Sequence, residues 1–185
     1  MPEWSRKGAT YEDVLAAPAD KVAELLEGDL YLSPRPSPRH ANAASTLGAD
    51  LHDAFQKGRS GPGGWWILFE PEIHLRDHVL VPDIAGWRRE TLPALPQIGW
   101  FEAVPDWLCE VISPSTSRID REKKLPIYAA AGVEWVWIVD PSLKTLEVLR
   151  RKDGRFVLSG AHFGETSISA PPFGDVSIEL GPLWV

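Results

Sequence analysis

Residues 105–124 read Pro-Asp-Trp-Leu-Cys-Glu-Val-Ile-Ser-Pro-Ser-Thr-Ser-Arg-Ile-Asp-Arg-Glu-Lys-Lys. The apolar run Trp107 to Ile112 is bounded by Pro105 and by Ser113-Pro114, the length and flanks of a buried strand. Alternation along that strand puts Leu108, Glu110 and Ile112 on one face and Trp107, Cys109 and Val111 on the other. A carboxylate in such a strand costs several kcal/mol of desolvation unless it is paired or binds a cation. The strand holds no base to pair with Glu110. The polar segment that follows carries Arg118, Arg121, Lys123 and Lys124 beside Asp120 and Glu122. A buried acid delivered next to a basic helix predicts a site.

A second apolar run with one acid lies upstream, Val79-Leu80-Val81-Pro82-Asp83-Ile84-Ala85-Gly86-Trp87, read as one strand. An acid after Pro on one strand and an acid on the next can jointly hold a divalent cation. Magnesium takes oxygen ligands, commonly one or two carboxylates with water and substrate phosphate. A nearby lysine can orient or deprotonate water, or stabilise phosphoryl charge. Taken singly, Asp83 and Glu110 also fit structural acids paired with Arg118 or Arg121.

Around these two strands the chain reads in order as follows. Thr10 to Ala16 starts a short helix. Lys21 to Leu26 and Asp29 to Leu32 form a hairpin about Glu27-Gly28. Ser33 to Arg39 is a Pro-rich, extended connection. Helix spacing of Ala44, Leu47, Leu51 and Phe55 predicts a helix over 40–57, stopped by Gly58. Trp65 to Phe69 is a strand that Glu70 to Leu75 continues, and Arg76-Asp77 turns into the Asp83 strand. Residues 88–105 are loop. The helix after the Glu110 strand is capped by Ser115, Thr116 or Ser117 and stopped by Gly132. Pro126 either kinks it or lies near the start of its regular part. Val133 to Val139 is a buried strand with Thr145 to Leu149 as hairpin partner. Phe156 to Leu158 and Val176 to Leu180 are short edge strands. One domain over residues 1–185 accounts for the pattern.

Composition limits the reading of function. The chain has 26 acidic and 19 basic residues, a net charge of −7, so bulk charge does not advertise nucleic-acid binding. Any such surface has to be local. The single Cys109 excludes an intramolecular disulfide and fits a reducing cytoplasm. No signal peptide or membrane span is read, so a cytoplasmic protein is expected. His74 and His78 have a zinc-like spacing, but Arg76-Asp77 reads as a turn between them.

The string Pro105 to Thr116, with Asp120, Lys124, Tyr128, Gly132-Val133 and Trp137 to Pro141, resembles a bacterial family of restriction endonucleases. That family was long filed as a domain of unknown function and belongs to the PD-(D/E)xK nuclease superfamily. Glu24 to Gly28, the Pro-rich turn ending at His40, Val81-Pro82-Asp83 and Gly181 to Trp184 also match its pattern, so the resemblance spans nearly the whole chain. It implies an α/β (α+β) fold, a restriction-endonuclease-like mixed β-sheet flanked by helices, with an N-terminal hairpin. By position, Asp83 is the PD acid and Glu110 the (D/E) acid. Both would hold magnesium or manganese with the main-chain carbonyl of Val111. The superfamily's usual lysine position is Ile112 here, and the sequence resembles the variant in which Lys124 supplies the lysine from the next helix. Glu24, His40 and Asp120 are candidates for secondary roles, and Arg118, Arg121 and Lys123 for nucleic-acid contact.

Two functions are expected from this. The first is a divalent-metal-dependent endonuclease, a hydrolase of phosphodiester bonds in DNA. The alternative is a nuclease-fold binding or interaction module with little or no activity, favoured by the acidic charge and the relocated lysine. A homodimer is expected from the Trp-rich C-terminal strands and the apolar tail Leu180 to Val185, and from the family by analogy.

Overall fold

The computed structural model describes residues 4–114 and 116–185. Its centre is a six-stranded mixed sheet. β8 (Trp107–Val111) lies between β7 (Ile84–Arg88), antiparallel, and β9 (Trp135–Asp140), parallel. β10 (Thr145–Lys152) and β11 (Arg155–Phe163) extend it on one side, and β4 (Trp65–Phe69) closes the other. Only β8 and β9 are parallel neighbours in this sheet, and a helical crossover joins them, as parallel pairing requires. A five-stranded sheet holds β1 (Trp4–Lys7), β2 (Lys21–Leu26), β3 (Asp29–Pro34), β5 (Ile73–Leu75) and β6 (His78–Leu80). β12 (Ser167–Ile168) pairs with β13 (Ile178–Glu179).

The alternation read along β8 holds. Trp107, Cys109 and Val111 enter one core with Trp137 and Phe173, while Leu108 and Ile112 enter a second core with Tyr128 and Val136. The first is covered by α2 (Pro38–Leu51) through Ala43, Leu47 and Leu51. The second is covered by α4 (Leu125–Ala131) through Ile127 and Tyr128. α1 (Tyr11–Leu15) packs beside β2.

The Val79–Trp87 run is not one strand. β6 ends at Leu80 in the five-stranded sheet, and β7 starts at Ile84 in the six-stranded one. Pro82 has no N–H to give a ladder, the Val81 N–H goes to the Glu24 carboxylate at 2.9 Å, and the Asp83 carbonyl accepts the Glu70 N–H at 3.0 Å. The chain therefore changes sheets at Asp83. Likewise Glu70 does not continue β4. Its φ of 44° is left-handed and Pro71 follows, so the chain turns into β5 of the other sheet.

Both longer helices contain one widened turn. After α2, the Lys57 N–H reaches back to the His52 carbonyl at 2.9 Å, five residues earlier. α2 itself starts at Pro38 behind a Ser37 cap, just before the predicted His40. In the crossover, α3 (Ser117–Ile119) passes through a turn at Asp120–Lys124, where the Leu125 N–H bonds the Asp120 carbonyl. Pro126, which lacks an N–H, then falls in the first turn of α4 and is tolerated there. Gly132, at φ 107°, ends the helix. Of the three cap residues expected, Ser115 lies outside the described residues, and Thr116 holds the cap position. β1, absent from the sequence reading, pairs with β3, and β11 is a nine-residue edge strand rather than a short one.

Most of the C-terminal apolar residues behind the homodimer expectation are core, although Val185 is exposed and Trp135 only partly buried. Trp137, Leu180 and Leu183 have no exposed surface. No helix among the described residues is long and apolar enough to cross a membrane.

Candidate active site

A cavity of about 320 Å³ opens where the two sheets meet α2 and the crossover, and Glu24, His40, Asp83, Glu110, Val111, Asp120 and Lys124 all border it. Continuing the Ile84–Cys109 register by one residue sets Asp83 opposite Glu110. Asp83 stands at the sheet-changing corner before β7, and its Oδ2 accepts the Val111 N–H at 2.7 Å. Its Oδ1 lies 3.3 Å from Nε2 of His40, on the first turn of α2. Glu24 comes from β2. Asp120 and Lys124 come from the two ends of the widened turn.

Among the described residues, Glu24, Glu110, Asp120 and Lys124 are the charged side chains that are buried, and they form one cluster. Lys124 Nζ lies 3.0 Å from Glu24 Oε1, 3.2 Å from Asp120 Oδ1 and 3.3 Å from Glu110 Oε1. The Tyr128 hydroxyl donates to Glu110 Oε1 at 2.7 Å. Asp120, Lys124 and Tyr128 are spaced four apart, so one helix face delivers all three.

Burial raises the Glu110 carboxyl well above its ordinary value. Lys124 opposes that shift, and Asp120, Asp83 and Glu24 add to it. Burial likewise raises Glu24 and Asp120 against the pull of Lys124. The same burial acts against the Lys124 ammonium, but Glu110, Glu24 and Asp120 outweigh it and hold Lys124 well above its usual range. For His40, burial favours the neutral ring. Hydrogen bonding and charge from Asp83, with help from the Val111 backbone, overcome that and raise the imidazolium pKa. Apart from the paired Arg35 and Glu70, four carboxylates thus share the cleft with one ammonium and one imidazole. The deficit of positive charge is what a cation would supply.

The donor set fits a hard cation. Asp83, Glu110 and the Val111 carbonyl offer oxygen only. Glu24, Asp120 and Glu110 all meet Lys124, and of these Glu110 is the one opposite Asp83. Among the described residues, no three His, Cys, Asp or Glu side chains form a ready metal cage. Two carboxylates and a carbonyl, completed by water and phosphate, is a magnesium pattern rather than a zinc one. His74 and His78 do not come together, since Glu72 takes His74 at 2.7 Å and the Glu27 N–H meets His78.

Arg118, Arg121 and Lys123 stand outside the cavity lining. Arg118 pairs with Glu122, Arg121 binds Glu147 through two bonds, and Lys123 binds Glu27. None of them pairs with Asp83 or Glu110. The arginine on the cavity rim is Arg35, 3.8 Å from Glu70 across the mouth. Arg35 sits in the Pro-rich connection, where nothing in the sequence marked it. Tyr128 was legible from its spacing after Lys124.

No curated protein matches the chain. Four solved chains match it in structure. One is titled "Crystal structure of a putative nuclease belonging to DUF820 from Anabaena variabilis ATCC 29413". It is 21% identical, with a TM-score of 0.76 over 95% of this chain and 97% of that one. It shares the fold. The sequence profile of the Uma2 family, described as "Putative restriction endonuclease", matches residues 9–181, and the chain belongs to that family.

Proposed function

We propose that the chain is a divalent-metal-dependent endonuclease that hydrolyses phosphodiester bonds in DNA. The observation that carries this is the buried cluster, in which three carboxylates face one ammonium at a solvent-open cavity that Asp83 also lines. Asp83, Glu110 and the Val111 carbonyl would hold magnesium or manganese. Such an ion lowers the pKa of water and polarises a phosphoryl oxygen. The protein supplies the rest. Val111 N–H and His40 fix the Asp83 carboxylate, and Tyr128 fixes Glu110. Lys124 stays protonated, so it contributes charge and does not take a proton. Arg35, paired with Glu70 at 3.8 Å and donating to the Ala19 carbonyl at 3.0 Å, is the cation on the rim placed to meet a phosphate entering the mouth.

The tests are cleavage of supercoiled and linear DNA with magnesium or manganese, and calorimetric titration of each ion. Cleavage lost in Asp83→Asn and Glu110→Gln supports the enzyme. The second reading, a metal-binding module without activity, is favoured by Lys124, whose three N–H donors all face carboxylates. Metal binding without cleavage of DNA or RNA selects it.

A homodimer remains part of this proposal, on a different surface. β11 is a free edge with Val157, Leu158 and Phe163 exposed, and such edges invite pairing.

A further inference from the structure

An ammonium has three N–H donors. In Lys124 each of them meets a different carboxylate, at 3.0, 3.2 and 3.3 Å, and the side chain is buried. No donor is left for water or phosphate. The three acids come from β2, β8 and the widened turn, and two of them have a hold of their own. The Val81 N–H anchors Glu24 and the Tyr128 hydroxyl anchors Glu110, while Asp120 stands at the start of the widened turn. Two of the three carboxylates are therefore held by groups other than the lysine they surround. With the ammonium gone, three carboxylate oxygens would face one point and could close on a hard cation there. Metal-to-oxygen distances of ~2.0–2.1 Å for magnesium are about 1 Å shorter than the ammonium contacts, a contraction that side-chain rotation can supply.

We propose that Lys124 stands in for a second divalent cation, and that Glu24 and Asp120 are positioning residues for Lys124 rather than ligands of the metal. Resting on the reading above, this gives one exchangeable ion per chain, at Asp83, Glu110 and the Val111 carbonyl, beside one covalently fixed charge. Glu110 is the acid shared by the two seats. The arrangement gives the second position a permanent charge that no chelator removes, at half the charge a divalent ion would bring.

The experiment counts manganese bound per chain, by calorimetry and by electron paramagnetic resonance of the free ion. Wild type is expected to bind one, and Asp83→Asn none. Glu24→Gln should still bind one, within about threefold in affinity, while its cleavage rate falls about tenfold as Lys124 loses a holder. Lys124→Ala should bind two, and the second should vanish in the Glu24→Gln/Lys124→Ala double variant. Two ions in wild type overturn the proposal. So does a Glu24→Gln protein, folded by circular dichroism, that binds none, because Glu24 is then a metal ligand. A folded Lys124→Ala protein with one ion also overturns it. Should Lys124→Ala fold only with manganese present, dialysis after refolding still counts the ions. If wild type binds none, the metal reading of the first seat fails on its own. Lys124→Ala gaining one ion over that baseline still supports the stand-in, and gaining none rejects it.

Discussion

Asp83 Oδ2 accepts the Val111 backbone N–H at 2.7 Å, so the acid that ends the sheet-changing corner also fixes the end of β8. Asn keeps an acceptor oxygen for that bond and loses the anionic charge. Asp83→Asn should fold like wild type, lose manganese binding, and cleave at least ~100-fold more slowly, the scale of losing one transition-state electrostatic group. Circular dichroism, calorimetry and a nicking assay check the three parts. Full cleavage by this variant, purified free of other nucleases, moves the chemistry elsewhere.

Glu110→Gln separates function from stability. The buried carboxyl is held well above its ordinary value, so ionising it at neutral pH costs the metal-free fold. Gln still accepts from Tyr128 and Lys124. The metal-free variant should melt a few degrees higher, as ~1 kcal/mol would produce in a domain of this size, while cleavage is lost. A lower melting temperature rejects the electrostatic account.

The same directions set the pH dependence of metal-free wild type. Glu24, Glu110 and Asp120 have raised folded pKa values, so the folded state binds more protons than the unfolded state. Their penalty is present at neutral pH and disappears as pH falls through the folded values towards the unfolded 4.5 and 3.8. His40, also raised, adds stability below its unfolded 6.5 and loses it as pH rises through its folded value. Melting temperature without metal should therefore rise from pH 8 to about pH 5. Saturating manganese should flatten that slope, because the ion replaces the protons. A melting temperature that falls steadily over this range contradicts the raised values.

Tyr128→Phe removes the 2.7 Å donor from Glu110 and leaves the ring in its buried place. The expected loss is ~1 kcal/mol of stability for one hydrogen bond. Manganese affinity should drop about tenfold, the effect of losing a group that orients a ligand. Unchanged affinity in a calorimetric titration separates Tyr128 from the site.

How far the sequence carried these positions depends on which physics decides each one. The faces of β8 follow from period-two alternation, and Asp120 and Lys124 from helix spacing, so both were legible. The break at Asp83 was not. Val79 to Trp87 is uniformly apolar except for its acid, and the switch between sheets rests on the Glu24 carboxylate bonding the Val81 N–H, a contact across 57 residues. Pro82 was the one local sign. The pairing of Arg121 with Glu147 and of Lys123 with Glu27 was not legible, because those partners lie on other elements, whereas Arg118 pairs with Glu122 at helix spacing. The apolar C-terminus looked like an interface because burial by β12, β13 and the segment through Phe173 leaves no periodic signature.

Cys109 tests the wall between the two cores. The thiol has no exposed surface, and burial, with charge from Asp83 and Glu110, pushes its pKa well above the ordinary value. Reactivity needs the thiolate and access, and the fold denies both. In native protein, one equivalent of a thiol-reactive chromogen should go unconsumed over hours. Guanidinium should release one thiol per chain, consistent with the single cysteine. Because labelling then requires the β8 region to open, its slow rate reports unfolding of the strand that carries Glu110. Manganese should slow it further if the ion binds at that strand. Rapid labelling of the native protein at pH 8, with or without the ion, means β8 opens locally and the buried cluster beside it is not held as the structure shows.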